Sequence, residues 1–496
     1  MLQADDILAG NFFLKDWHLT GVTFFTTDLI YFELVSLIFG VSYRAIYVAN
    51  GLKFVSIAVT AYYAAMKGCC KDRNLKTVLF FLLAGVPCMS YMIHSKVHAG
   101  AVCLTFLAFC AVYDILQNSD INDRKMLWKY VLFAIVTALG TIGDMLAVVE
   151  GTIPVLLFSL YQLLMQDGWK RGSKYIKLAV SAIAGILAGL IWDRLYFFIG
   201  GANKNSYIGN QLFTDLFGCM EKVVLFTEQL LEMCMANFTG EKIADIWNLP
   251  KMASAASVIA AFVLIFIILR RMIQKEEKDT DELSNLLALS IIMSFLAFVL
   301  TDMAAPRYIT LVPYAAVIIV VRNCSQMITY FRNKKLSVLI LVTVAFVSFA
   351  GKIYDISGYQ YPQSNIEDYQ LIAFLKEHDL RCGYASFWNA SKITVLSGKN
   401  VNVRHIIHSG ETDDMLSIYR WFCKNEWYEE SANFILINNE DGKAGEEDLF
   451  GVSEKRVIEF FGVPRESYEM DKYLILVYDY DISKKLNNLR VKSLQT

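Results

Sequence analysis

The 496-residue chain is 55% hydrophobic and 19% charged, with a formal net charge of −2 and a mean hydropathy of +0.40. A soluble domain carries more charge and less apolar content, so this balance excludes an ordinary soluble enzyme and points to a polytopic membrane protein. A net charge this close to zero offers no bulk field for nucleic acid or for general membrane-surface binding.

The opening, MLQADDILAGNFFLKDW (Met1–Trp17), is polar and acidic and lacks the basic n-region of a signal peptide. Asp5 and Asp6 adjoin a helix start, where the helix dipole alone stabilises acids. Lys15, Asp16, Trp17 and His18 form a polar–aromatic cluster suited to the headgroup level. Asp28–Gly40 (DLIYFELVSLIFG) is apolar but too short to span, and reads as an interfacial helix on the outer leaflet. Residues 1–43 are therefore expected to form an outer loop.

Apolar runs of spanning character follow at Arg44–Met66, Thr77–Ile93, Val97–Leu116, Leu127–Ile142, Met145–Met165 and Ile176–Ile199. After a polar gap at 200–250 come Met252–Leu269, Leu286–Leu300, Tyr308–Val321 and Leu336–Ala350. The expectation is about ten spans over residues 44–350, several short enough to need tilt. Basic clusters fall on every second connection: Lys67–Lys76, Arg124–Lys129, Lys170–Lys177, Arg270–Lys275 and Arg332–Lys335. By the positive-inside rule these connections are cytoplasmic, and QKEEKDTDEL (Gln274–Leu283) is a solvated linker on that side. The turns at 94–97 and 143–144, the region 200–250, residues 301–307 and everything after Gly351 then face outward.

Ionisable groups at the outer ends are the functional candidates. His94, Lys96 and His98 crowd the turn HSKVH. The two histidines have i,i+4 spacing but no third ligand, so no metal site is assigned. Lys96 can meet a phosphate oxygen or simply be solvated. Asp144, in TIGDML, lies between two apolar spans and needs a partner or water; Glu150, two turns deeper, needs one more urgently. Asp193 and Arg194 can pair with neighbours. Arg307 and Tyr308 stand at an outer span entrance, where a guanidinium binds phosphate bidentately or snorkels, with Asp302 able to orient it.

The tail, residues 351–496, has the composition of a folded α/β domain with its own core. Ile366–Glu377 and Asp414–Trp421 read as helices; Gly383–Trp388, Ile393–Leu396, Val401–His405, Asn433–Ile437 and Tyr473–Tyr478 read as strands. His405 and His408 lack companions at ligand spacing and read as structural. Cys382 and Cys423 share one compartment and could bridge. Trp388, Trp421 and Trp427 are core residues or sugar-stacking rings. The sequons at Asn237 and Asn389 carry meaning only in a secretory pathway.

This order of parts resembles the GT-C superfamily of integral membrane glycosyltransferases, and within it the bacterial members near the protein mannosyl and aminoarabinose transferases. Three stretches carry the likeness: ADDILAGNFFLKDWHLTG (Ala4–Gly21), Asp28–Gly40 in the place of a membrane-lying helix, and PRYITLVPY (Pro306–Tyr314). GYASFWNASKITVLSG (Gly383–Gly398) resembles tails of a Gram-positive subgroup. The resemblance implies a mainly α polytopic fold with a C-terminal extracytoplasmic α/β domain, in a bacterial plasma membrane. It implies transfer of a sugar from a polyprenyl-phosphate donor to a cell-envelope glycan, lipid or protein acceptor, by inverting displacement at the anomeric carbon. Asp5 or Asp6 would be the base and Asp144 a support. Arg307, Tyr308 and Lys96 would hold the donor phosphate, with His94, His98, Asp302 and His18 as further support. A divalent metal is compatible with such chemistry, but no ligand set is assigned to it. In that family the acid stands well ahead of the glycine, whereas Gly10 leaves room only for Asp5 and Asp6. The likeness thus implies a chain beginning inside the first outer loop, without the first span and its usual carboxylate. The rival reading is a non-catalytic flippase, transporter or assembly factor. Such proteins place polar breaks at the midplane and repeat their halves, whereas here ionisable groups gather at outer ends.

Overall fold

The computed structural model describes residues 1–117, 124–165, 169–204, 212, 215–242, 245–274, 281–329, 333–359, 363–408, 416–440 and 452–486. The opening segment forms α1 (Leu2–Leu8), strand β1 (Trp17–Leu19) and α2 (Leu29–Phe39), the last a helix within the apolar stretch Asp28–Gly40. Then comes α3 (Tyr43–Met66), which starts where the Ser42 side chain accepts a hydrogen bond from the Ala45 N–H and so satisfies one orphan donor. The expected span Thr77–Ile93 is instead two helices, α4 (Arg73–Ala84) and α5 (Met89–His94). Gly85 and Pro87 fall between them, and proline, having no N–H, cannot continue the ladder.

The remaining membrane helices follow as α6 (Ala99–Gln117), α7 (Arg124–Gly143), α8 (Ile153–Met165) and α9 (Trp169–Phe198). Strand β2 (Asn203–Lys204) and α10 (Leu216–Met233) occupy the region 200–250, which reads from the sequence as a polar loop region. Then come α11 (Leu249–Gln274), α12 (Glu282–Leu300), α13 (Leu311–Thr329) and α14 (Lys334–Ser357). Nine helices among the described residues are long and apolar enough to cross a membrane; the tenth expected span is the broken α4–α5 segment, in which neither helix reaches that length. The spans containing α6 and α13 are central, with 72% of their apolar windows buried, against 28% for α3, α9 and α14. The peripheral helices thus leave Val55, Val59, Val180, Leu187, Leu339 and Phe346 exposed, as lipid-facing residues are.

Side-chain bonds identify the two ends of the bundle. At one end the Arg322 guanidinium pairs with Asp281 and donates to the carbonyls of Ala64 (2.9 Å) and Lys67 (2.7 Å). Ser325 reaches Asp72 and Lys67 pairs with Asp114, so this end carries basic connections. Residues 275–280 of the acidic–basic linker lie outside the described residues. At the other, tail-side end the loop before α2 bonds to the end of α7, and α5 bonds to Asp355 at the end of α14.

The tail is a mixed α/β unit. It comprises α15 (Gln363–Glu377), β3 (Cys382–Ala385), α16 (Phe387–Leu396), β4 (Asn402–His408), β5 (Leu416–Ile418), β6 (Cys423–Lys424), β7 (Phe434–Asn438), α17 (Glu454–Phe461), β8 (Glu466–Met470) and β9 (Tyr473–Val477). Six strands lie in the order β5-β4-β3-β7-β9-β8. Strand β3 runs parallel to β4 and β7, while β9 is antiparallel to β7 and β8. Two expectations fail here. Ile393–Leu396 is the last turn of α16 rather than a strand, because the Thr394 hydroxyl and the Val403 backbone exchange bonds that lay the helix on β4. Asp414–Trp421 is not a helix: Leu416–Ile418 is an edge strand on β4, and 414–415 lie outside the described residues. Cys382 and Cys423 are free thiols rather than a bridge.

One sheet face has a core of its own, with Leu371, Leu375, Ile393, Phe434 and Ile475. The other shares its core with the opening segment, where Ala4, Ile7, Leu14 and Trp17 join Tyr384, Ile406, Trp427 and Ile435. Strand β1 pairs antiparallel with β6 and parallel with β2, stitching the opening segment to the tail.

Candidate functional site

A buried ionic cluster sits at the tail-side end. The loop over residues 20–28 is pinned to the end of α7: Thr23 Oγ1 donates to the Ile142 carbonyl (2.8 Å) and the Phe24 N–H to the Gly143 carbonyl (2.8 Å). The approach is too close for side chains, since a Cβ on Gly100 would stand 2.5 Å from the Thr27 backbone. So held, Asp28 caps α2 in position and meets the Lys53 ammonium of α3 at 3.2 Å. Lys53 also donates to the Lys96 carbonyl (2.7 Å) and lies over the Phe32 ring. Two residues on, His98 adopts a left-handed backbone (φ 69°), and its Nδ1 lies 2.5 Å from Asp144 Oδ2. Asp144 Oδ1 accepts the Leu146 N–H (3.0 Å), just ahead of the π-helical turn Val148–Thr152 that leads into α8. Asp28, Lys53, His98 and Asp144 are each 5% exposed or less. Burial raises the Asp28 carboxyl above the usual range, and the Lys53 charge works against that rise.

Above this cluster, the Tyr308 ring rests 5.3 Å from the His98 ring, and the Arg307 guanidinium lies 5.1 Å over Tyr308. Arg307 and Lys96 are both exposed, and among the described residues neither side chain has a carboxylate partner. A bare guanidinium above a buried acid–imidazole pair can hold an anion, and Lys96, two residues before that imidazole, is a second exposed cation of the same turn. Asp302 does not orient Arg307 as expected; its charge acts on Lys222, whose ammonium donates to the Met303 carbonyl. His94 ends α5, half-buried.

Three other expected residues lie elsewhere. Asp5 pairs with Lys399 (2.5 Å) and Asp6 with Lys424 (3.1 Å), while the Trp17 indole N–H donates to Asp6 (2.8 Å). His18 Nε2 is 3.0 Å from Asn425 Oδ1. Asp5 and Asp6 face a cavity of about 310 Å³ between α1 and the tail. The sequence candidates thus divide into two groups: Lys96, His98, Asp144, Arg307 and Tyr308 gather at the helix ends, and Asp5 and Asp6 gather with tail cations. Glu150 finds its partners in α12, where Ser294 Oγ donates to its carboxylate (2.8 Å) and Ser290 to its carbonyl.

Sequence reasoning missed Asp28 and Lys53. A lone lysine inside the otherwise apolar run 44–66 was the available signal, because an ionisable group within a span is a functional candidate by default. It also missed Lys399, Arg404 and Lys424, for which no local signal exists. No cluster of three or more metal-ligating residues occurs among the described residues.

No protein-family model matches the sequence, and no curated protein matches it. A solved structure shows a similar arrangement in space: the archaeal oligosaccharyltransferase AglB from Archaeoglobus fulgidus, in complex with an inhibitory peptide and a dolichol-phosphate. The match has a TM-score of 0.43 and 11% identity, covering 81% of this chain and 59% of that one. This chain therefore spans less than two-thirds of that protein's length, and the roles of individual residues rest on its own geometry alone.

Proposed function

We propose that this protein is a GT-C-like membrane glycosyltransferase that moves a sugar from a polyprenyl-phosphate donor to a cell-envelope acceptor, at the extracytoplasmic face of a bacterial plasma membrane. One observation carries the reading. Arg307, an exposed cation without a carboxylate partner among the described residues, lies over Tyr308, whose ring rests on the buried Asp144–His98 pair at the tail-side end of the bundle, and the exposed Lys96 stands two residues before His98. Arg307 binds the donor phosphate through two parallel N–H donors, Lys96 as a point charge, and the Tyr308 hydroxyl adds a further donor. The acceptor hydroxyl oxygen attacks the anomeric carbon while the bond from that carbon to the phosphate oxygen breaks. The leaving polyprenyl phosphate keeps the electron pair, which the cations stabilise. The hydroxyl proton passes to the buried Asp144–His98 pair, since Asp5 and Asp6 are engaged with the tail cations instead.

The test is transfer from a labelled polyprenyl-phosphate sugar by purified protein in nanodiscs. Arg307→Ala and Asp144→Asn are each expected to lower turnover by about 10²–10³-fold. No turnover, or turnover indifferent to both changes, overturns the assignment. A second reading, an ion-coupled flippase or transporter, is favoured by Glu150, a fully buried carboxylate in a π-helical turn. That reading requires lipid or solute movement in vesicles that Glu150→Gln abolishes while transfer is absent.

A further inference from the structure

We propose that the cavity between the opening segment and the tail is a binding site for a single neutral sugar ring. At about 310 Å³ it lies at the lower end of the range for small-molecule pockets, with room for one ring rather than a chain. It is also preformed. The β1–β6 pairing, the Asp5–Lys399 and Asp6–Lys424 ion pairs and a shared apolar core hold its walls together.

The lining selects the ligand's chemistry. Four carboxylates, from Asp5, Asp6, Glu426 and Glu430, outnumber the three cations, Lys399, Arg404 and Lys424. Each cation already faces a carboxylate, so an anionic ligand would meet an excess of negative charge. A neutral ring bearing many hydroxyls instead finds acceptors and charged donors side by side. Arg404 supplies the observation that points to a ligand. It is 5% exposed, stacked 4.3 Å over the Trp427 ring, and its Nη2 is 3.5 Å from Glu430. Its buried Nε–H meets no acceptor among the described residues. A buried donor left without an acceptor is unfavourable, and a ligand hydroxyl in the cavity satisfies it. In the transferase reading this ring belongs to the acceptor, beside Asp5 and Asp6; binding itself does not depend on that reading.

Saturation-transfer NMR on the full chain in nanodiscs tests the site, with glucose, galactose, mannose and N-acetylglucosamine as probes and glucuronate and glucose 1-phosphate as anionic counterparts. At least one neutral sugar is expected to bind, and more tightly than its anionic counterpart. Arg404→Lys, which keeps the charge and removes the Nε donor, is expected to weaken it by about tenfold, the loss of one hydrogen bond to a charged group. Lys399→Ala, at a half-exposed position that folding tolerates, is expected to weaken it as well. Neutral and anionic sugars are compared in Arg307→Ala protein, which removes the proposed donor-phosphate site from the readout. Binding without transfer keeps the site and removes the transferase reading; transfer without binding does the reverse. The proposal is overturned if no neutral sugar binds, if both cavity variants bind as the parent does, or if the anionic sugars bind more tightly.

Discussion

Removing the Asp144 carboxylate tests whether the buried cluster acts as one unit. The carboxylate is 2% exposed and meets a His98 ring that is 6% exposed, at 2.5 Å. In Asp144→Asn the amide oxygen can still cap the Leu146 N–H, so only the charge-assisted bond to His98 becomes a neutral one. A hydrogen bond to a charged group is worth about 1.5–3 kcal/mol and a neutral one about 1, so the expected loss is about 1–2 kcal/mol. Asp144→Ala removes both bonds and leaves His98 without its buried partner, for about 3–5 kcal/mol. Tryptophan-monitored unfolding in mixed micelles reads these values, and a cycle with His98→Gln isolates the coupling, expected at about 1–2 kcal/mol. Because Tyr308 rests on His98 and Arg307 on Tyr308, the alanine variant should also raise the donor KM in addition to lowering kcat. Additivity within about 0.5 kcal/mol, or a loss below 1 kcal/mol in Asp144→Ala, refutes the idea that these residues support one another.

Gly100→Ala drives a methyl group to 2.5 Å from the Thr27 backbone, where no flexible side chain can yield. An overpacking loss of about 1–3 kcal/mol is expected, with lower turnover because the displaced loop carries Asp28. Unchanged thermal stability would remove the loop from the argument. At the opposite end, Asp281→Asn leaves the buried Arg322 guanidinium facing only carbonyls, and should cost about 3 kcal/mol in detergent thermostability. In the tail, burial pushes His405 down from 6.5 to about 4, among the rings of Phe387, Tyr419 and Tyr428. The folded state stays neutral while the unfolded chain takes up a proton below 6.5, so stability falls as pH drops from 6.5 to 4 and is level outside that window. The full effect is about 3 kcal/mol, and His405→Phe should remove that slope from the pH dependence of unfolding.

Much of the site was legible as residues but not as partnerships. Asp144, Arg307 and Lys96 stand out because charge at the end of an apolar run is conspicuous in one dimension. His98 was visible in its turn, yet nothing local indicates that it meets Asp144 rather than a metal or water. In the tail, Ile393–Leu396 reads as a strand from the sequence, although a short apolar run carries no decisive period. Contact with β4 settled it as α16, through Thr394 and Val403.

The sequence alone determined the membrane character, the number of apolar segments and the change to an α/β tail. Those properties follow from runs of neighbouring residues, whose length and apolar content have to match a bilayer or a core. Only the tertiary structure decided that Asp28 meets Lys53, that His98 meets Asp144, and that Asp5 bonds to Lys399, 394 positions away. Such pairs exist because helix ends and sheet edges converge in space. A buried charge takes whichever partner the fold delivers to it, which a reading along the chain does not reveal.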